Sequence, residues 1–142
     1  MGDSALLGHF RPDDSFLRHI DRKSRVAPDG TIGAGVFKPR AHECELSFTF
    51  QNALLQTEAG LDAYQRAKAL PSGDLPGLCR LTHYDLTEAI EPPLPPRPRE
   101  DPNDPQYGKL HFVTDRPRDA VHMDMLAKRA TSNGLVRPFV RH

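Results

Sequence analysis

The placement of proline is the feature that most constrains what this chain can fold into. Seven of its 14 prolines fall between Pro92 and Pro105. Because proline fixes φ and lacks a backbone N–H, such a segment cannot join a helix interior or a central strand. We therefore predict that residues 92–108 form an extended, polyproline-like loop. At 142 residues the chain is expected to be one domain, residues 1–142, with this loop inside it.

On either side of the loop, hydrophobic periodicity predicts strands and two helices. Glu45–Phe50 is the clearest strand, because its apolar residues alternate with polar ones. Thr57–Leu70 is predicted as a helix capped by Thr57 and stopped by Pro71, and Arg116–Asn133 as the longest helix. Shorter segments complete the prediction: Phe16–Ile20 (a strand or a helical turn), strands at Thr31–Phe37, Leu78–His83, Lys109–Thr114 and Leu135–Val140, and a helical turn at Leu86–Ile90.

These elements predict an α+β domain, or a small α/β domain. We expect a single sheet of about five to six strands, covered on one side by the two main helices, with the proline-rich segment as a long loop. A domain of this length buries about two-thirds of its unfolded surface, which is enough for one hydrophobic core.

Composition and charge exclude several classes of protein. The chain has 19 basic and 19 acidic residues, which excludes a strongly basic nucleic-acid coat protein and an acidic solvating chain. No apolar run approaches the 18 residues of a membrane-spanning helix. The first residues lack the layout of a signal peptide. With only Cys44 and Cys79 present, we expect two reduced thiols and a cytoplasmic protein.

His83 is the strongest candidate for a catalytic residue. It is followed by Tyr84 and Asp85 at the end of a predicted strand, where a base, a hydroxyl and a carboxylate come together. In this hypothesis His83 is a general acid/base, Tyr84 or Asp85 orients it, and Arg18 and Arg80 bind an anion. The protein would then be an enzyme, a transferase or hydrolase, that acts on a nucleotide or another phosphorylated substrate. The simpler interpretation is that the same residues cap the helical turn that follows.

No motif predicts a cofactor. The sequence has no glycine-rich phosphate loop, no GxSxG elbow and no HExxH helix. His42 and Cys44 would share one face of an extended chain, but a metal site needs at least a third ligand from elsewhere, such as His111 or His83, and no spacing matches a known metal motif. We therefore predict neither a metal ion nor a cofactor.

Charge is unevenly distributed, and this favours docking to a partner. Ala41–Gln65 carries four acidic residues and no lysine or arginine, whereas Arg116–His142 carries six basic residues against two acidic ones. Opposite patches suit self-association or a charged protein partner, and a proline-rich segment offers a pre-extended surface. Our leading prediction is a small protein-binding or accessory module. Weak nucleic-acid binding through Arg116–His142 is an alternative. The predicted partner-binding residues are Pro92, Pro93, Pro95, Pro96, Arg97 and Arg99.

Part of the sequence resembles a pattern found in short uncharacterised bacterial proteins. The run from Val26 to Ile32 contains Asp29-Gly30, and Val36-Phe37 and Leu46-Ser47 follow. In those proteins a D-G turn likewise leads to an alanine/phenylalanine strand and then to a leucine-serine strand. Their proline-containing segment is similar to Asp101–Pro105. The resemblance covers about half of the chain and implies a bacterial cytoplasmic protein with no established activity.

A second set of residues is similar to the order found in ADP-ribosyltransferases. That family has an early arginine, a strand with serine or threonine, and a late acidic residue. Arg18, Ser47-Phe48-Thr49 and either Glu88 or Glu91 follow the same order. The ExE pair Glu43-Cys44-Glu45, however, precedes the serine strand instead of following it. This resemblance implies a transferase and is one form of the enzyme hypothesis.

Overall fold

The structure is a computed structural model that describes residues 11–38, 45–87, 96–98, 109–113 and 120–142, with side chains at 11–38, 46–86 and 121–142. Its regular elements are numbered in chain order. They are β1 (Ser15–Ile20), β2 (Glu45–Phe50), α1 (Glu58–Ala67), β3 (Gly77–Thr82), α2 (His83–Thr87), β4 (Pro96–Pro98), β5 (Lys109–Val113) and α3 (Ala120–Asn133).

All pairings between the described strands are antiparallel, and β1, β2 and β3 form the body of the sheet. β1 lies in the centre and pairs along its whole length with β3, from Ser15 opposite Thr82 to Ile20 opposite Gly77. Its other edge pairs with β2, Phe16 opposite Phe50. Beyond this body β5 pairs with β2, and β4 with β5, in the order β3-β1-β2-β5-β4. Antiparallel strands with helices make a small α+β fold, so the α/β alternative is excluded.

Hydrophobic residues cover both faces of the sheet. Successive residues of a strand point to opposite faces, and in β1 Phe16 packs on one side and Leu17 on the other. One core joins β1, β2 and β3 to α3 through residues such as Leu126. The second core joins the opposite face to α1 through Leu61 and Tyr64.

The predicted architecture, a sheet of five to six strands covered on one side by two main helices, is wrong. The body of the sheet has three antiparallel strands, β3, β1 and β2, and there are about three helices. Helices cover both faces of this body because α3 packs on one face and α1 on the other. Thr31–Phe37 forms a 3-10 turn at Ala34–Phe37 where a strand was expected. The cause is Arg25: its carbonyl accepts from the Gly33 N–H (2.7 Å), and its guanidinium packs against Gly35. This backbone is therefore held by Arg25 and not by a strand ladder.

The chain end, Leu135–Val140, is also not a strand. It joins the outer edge of β3 through two isolated bridges, at Leu75–Val140 and Leu78–Arg137. Pro138 lies between them and cannot donate to a ladder. The segment is fixed by the buried Gln65 side chain, whose Nε2 donates to the carbonyls of Pro76 and Pro138.

Two further observations concern the start of α2 and the proline-rich segment. α2 begins at His83, three residues before the predicted helical turn at Leu86–Ile90. The segment 92–108 was predicted to be an extended, polyproline-like loop, and within it Pro96–Pro98 pairs with β5 as an edge strand. Edge strands tolerate proline because one row of their N–H groups faces away from the ladder. The other residues of 92–108 lie outside the described ranges.

Several local signals in the sequence predict individual elements correctly. β2 has the predicted bounds. Thr57 caps α1 as predicted, since its Oγ1 accepts from the Gly60 N–H at 3.0 Å. α3 ends at Asn133, and Gly134 follows with φ of +86°, the left-handed conformation that glycine adopts readily. None of the described helices has the length and apolar character needed to cross a lipid bilayer.

Candidate functional site

Asp85, one of the three residues predicted to be catalytic, forms a helix cap with Thr82. The Thr82 Oγ1 accepts from the backbone N–H of Asp85 at 3.1 Å, and the Asp85 Oδ2 accepts from the backbone N–H of Thr82 at 2.9 Å. This reciprocal pair is a capping box, which satisfies two N–H groups at the start of α2. The arrangement matches the simpler interpretation of the Thr82–Asp85 sequence.

Asp85 also joins α2 to α3. Its side chain is 1% exposed, and its Oδ1 accepts from Arg129, at 2.8 Å from Nε and 2.7 Å from Nη2. Its Oδ2 accepts from the Asn133 Nδ2 at 2.8 Å. Burial raises the pKa of Asp85, but the hydrogen bonds from Thr82, Asn133 and Arg129 outweigh that effect and hold the pKa below its usual value. The carboxylate is thus ionised, and both of its oxygens accept hydrogen bonds from other residues of the fold.

Asn133 extends this network to Arg80 in β3. Its Nδ2 donates to the Arg80 carbonyl at 2.8 Å, and the Arg80 Nη2 donates to the Asn133 carbonyl at 3.4 Å. Asn133 therefore links Asp85 to Arg80 through hydrogen bonds. The Thr-x-x-Asp spacing was visible in the sequence, but Asn133 lies 48 residues beyond Asp85, and no local pattern predicts that contact.

The other predicted residues, Arg18, His83 and Tyr84, make separate contacts. The Arg18 guanidinium donates to the carbonyls of Val36 (2.9 Å) and Ser47 (3.0 Å), so it holds the 3-10 turn against the sheet. The His83 ring packs 6.4 Å from the Phe16 ring, centroid to centroid. Tyr84 is 47% exposed, with its ring beside the Arg129 guanidinium. The structure brings Asp85 and Arg80 into one network and leaves Arg18 outside it.

A polar cleft lies where β1 begins and β2 ends. Its volume is about 530 Å³, within the range of small-molecule sites. The strand ends are held together there, since the Gln51 N–H donates to the Ser15 carbonyl at 2.8 Å. Arg80 is the one residue of the predicted site that lines it. Every lining residue has a polar side chain: Arg11, Asp13, Asp14, Ser15, Gln51, Gln56 and Arg80.

The charges in the cleft do not neutralise one another. Within the described ranges, neither Arg11 nor Arg80 forms an ion pair, and neither do Asp13 and Asp14. The Asp14 Oδ2 instead accepts the Arg11 backbone N–H at 2.7 Å. The Arg80 Nε is buried and has no hydrogen-bond acceptor among the residues that the structure describes. A buried N–H without an acceptor is costly, so the described residues leave the Arg80 guanidinium only partly satisfied.

The predicted nucleic-acid site and the metal-ligand candidates gain less support from the described contacts. In the basic C-terminal segment, Lys128 pairs with Asp124, Arg129 with Asp85, and Arg137 with Glu58. Because these three cations already form ion pairs with carboxylates, less positive charge is available to bind a nucleic-acid phosphate. No group of three metal-ligating side chains occurs among the residues that the structure describes. Several predicted residues lie outside those ranges: His42, Cys44, Pro92, Pro93, Pro95 and Arg99.

Comparison with known proteins assigns no function. No family model, no curated protein and no solved structure matches the chain significantly. The function therefore has to be argued from the geometry of the described residues.

The Asp85 network yields a testable prediction for stability. Asp85→Asn keeps the size of the side chain but removes its charge and one acceptor, so we expect a loss of about 2 kcal/mol in unfolding free energy at pH 7. Because the folded pKa of Asp85 is lowered, its contribution is complete above the unfolded value of about 3.9. It is lost as the pH falls through the folded pKa. The difference between the two proteins should therefore shrink below about pH 4.

Urea unfolding at pH 7 and pH 3 measures both effects. Asp62→Asn is the matched control, because Asp62 forms an exposed pair with Arg66, worth less than about 0.5 kcal/mol. Equal losses in the two variants, or an Asp85→Asn difference that is unchanged at pH 3, would contradict the proposed role of Asp85.

Proposed function

We propose that the protein is a binding module whose cleft holds a small ligand through an anionic group on Arg80. One observation carries the proposal: Arg80 lines the cleft but forms no ion pair within the described ranges, where its side chain makes one hydrogen bond, from Nη2 to the Asn133 carbonyl at 3.4 Å. A carboxylate or phosphate oxygen supplies acceptors that match the guanidinium fork. Binding such a group would give the guanidinium charge a partner that the described residues do not supply.

The position of Arg80 is fixed before any ligand arrives. Its backbone lies in β3 opposite Leu17 of the central strand. Asn133 holds it from the other side, through the Arg80 carbonyl and the Arg80 Nη2. A cation that is already held in place loses less conformational entropy on binding than a mobile one. This preorganisation supports specific recognition of an anion.

The lining favours binding over catalysis. The seven lining residues include no histidine or cysteine, and the one hydroxyl, that of Ser15, donates to the Asp13 carbonyl at 3.4 Å. His83, the residue predicted to act as general acid/base, is not part of the lining. The arrangement therefore supports the anion-binding part of the enzyme hypothesis without its acid/base part.

Substitution of Arg80 tests the proposal. We expect acetate and inorganic phosphate to shift the Arg80 Nε–H resonance in a ¹H–¹⁵N NMR titration of the full chain. Arg80→Gln should weaken binding at least tenfold, since it removes charge-assisted hydrogen bonds worth about 1.5–3 kcal/mol. The control is Arg66→Gln, which alters an exposed arginine on α1, away from the cleft. Equal binding by the two variants, or shifts confined to residues outside the cleft, would overturn the proposal.

Docking to a protein partner is a second candidate, and the position of β4 favours it. Pro96–Pro98 is the last strand at one edge of the sheet, whereas the outer edge of β3 is covered by the segment 135–140. The described part of the proline-rich segment thus lies at the sheet edge that the C-terminal segment does not cover. Such a pre-extended surface suits peptide-like recognition, in line with the predicted role of Pro96 and Arg97.

Alanine replacements in the proline-rich segment test the docking candidate. We expect the triple variant Pro92→Ala, Pro93→Ala and Pro95→Ala to change the oligomeric state measured by light scattering, or to release a partner that purifies with the full chain. Pro28→Ala, at an exposed position in another turn, is the control. Circular dichroism would confirm that both variants fold. An unchanged oligomeric state together with unchanged co-purification would exclude docking through this segment.

A further inference from the structure

We infer that the ligand of the cleft is a small zwitterion of the amino-acid class, which carries an ammonium group as well as a carboxylate. This inference rests on the proposed binding function. It starts from Asp13 and Asp14, which line the same cleft as Arg11 and Arg80. The site therefore presents two cations and two anions to one ligand.

The acidic residues are held at the same end of the sheet as Arg80. The Asp14 carbonyl accepts from the His83 N–H at 2.8 Å, just beyond the end of β3. The next residue, Ser15, is paired with Thr82. Because Arg80 lies two residues before Thr82 on the same strand, the acidic turn and the guanidinium are neighbours across the sheet. Their joint presence in one cleft thus follows from the strand register.

The carboxylates are available to a ligand. Neither Asp13 nor Asp14 forms an ion pair with a described residue. Asp14 uses Oδ2 for the Arg11 backbone N–H, and its Oδ1 has no hydrogen bond in the described part of the chain. A dianion such as a phosphomonoester would bring like charge close to these groups, which is unfavourable. A zwitterion would place its carboxylate near the two arginines and its ammonium group near the two aspartates.

Gln51 offers a further acceptor to a polar ligand. The residue is 7% exposed and lines the cleft, and its Nε2 donates to the Leu55 carbonyl at 2.9 Å. That bond orients the amide and leaves Oε1 without a partner among the described residues. This oxygen is not among the buried unpaired atoms, so it is accessible to a donor such as an ammonium group. Gln51 would therefore bind the same end of the ligand as the carboxylates.

Matched ligands separate this inference from the broader proposal. The twenty common L-amino acids are titrated into the full chain by ¹H–¹⁵N NMR, with acetate and inorganic phosphate alongside. Amino acids that bind are then compared with their N-acetyl forms, which lack the ammonium, and their amides, which lack the carboxylate. We expect at least one amino acid to shift cleft resonances and to bind at least tenfold more tightly than either blocked form.

Asp13→Asn identifies the group that recognises the ammonium. Asp13 is exposed, so its replacement should leave folding intact. We expect the variant to bind the free amino acid several-fold more weakly and to bind the N-acetyl form unchanged. Asp21→Asn, an exposed acidic residue outside the cleft, is the control. Insensitivity to Asp13→Asn would overturn the inference.

The remaining outcomes distinguish the inferred zwitterionic ligand from the broader proposal that Arg80 binds an anion. If phosphate, acetate or an N-acetyl form binds the cleft as tightly as any free amino acid, the inference fails and anion binding by Arg80 stands. If no probe shifts the resonances of the cleft, both fail.

Discussion

One buried carboxylate determines how three elements of this protein fit together. Asp85 is removed from water, and an unpaired charge in that position would be strongly destabilising. The fold compensates it with the Thr82 N–H, the Arg129 guanidinium and the Asn133 amide. Each donor comes from a different place: the end of β3, the middle of α3 and the end of α3. The carboxylate can be satisfied only when β3, α2 and α3 adopt this arrangement together.

The candidate site depends on that arrangement. Asn133 is oriented by Asp85 and in turn holds the backbone and side chain of Arg80. Arg129 is paired with Asp85, and Arg137 with Glu58, so these cations are neutralised within the fold. Arg80 and Arg11 are not. A chain of zero net charge thereby keeps unpaired charge in one polar cleft, where a ligand can use it.

Local signals in the sequence predicted the elements better than their assembly. The alternation in Glu45–Phe50, the Thr57 cap and the end of α3 at Asn133 are short-range features, and the structure confirms them. The strand expected at Thr31–Phe37 was wrong because its backbone bonds to Arg25, outside that segment. The number of strands and the covering of both faces depend on pairings between distant segments, which periodicity does not contain.

The site was predictable only in part for the same reason. Arg80 was predicted to bind an anion and does line the cleft, while Arg18, predicted beside it, bonds to backbone carbonyls instead. The cleft draws its lining from residues 11–15, from 51–56 and from β3. No spacing motif joins these segments, and Gln51 or Asp13 alone has no unusual sequence context. Their shared position in the cleft becomes visible only through the register of β1 with β3 and the close approach of Gln51 to Ser15.

A double-mutant cycle between Asp85 and Asn133 tests most directly whether this network is a single unit. The unfolding free energies of the wild type, Asp85→Asn, Asn133→Ala and the double variant would be measured in urea at pH 7. Residues in one hydrogen-bond network couple by about 0.5–3 kcal/mol, and we predict a coupling of about 1 kcal/mol. Losses that add to within about 0.3 kcal/mol would show that the two residues act independently and would contradict the account.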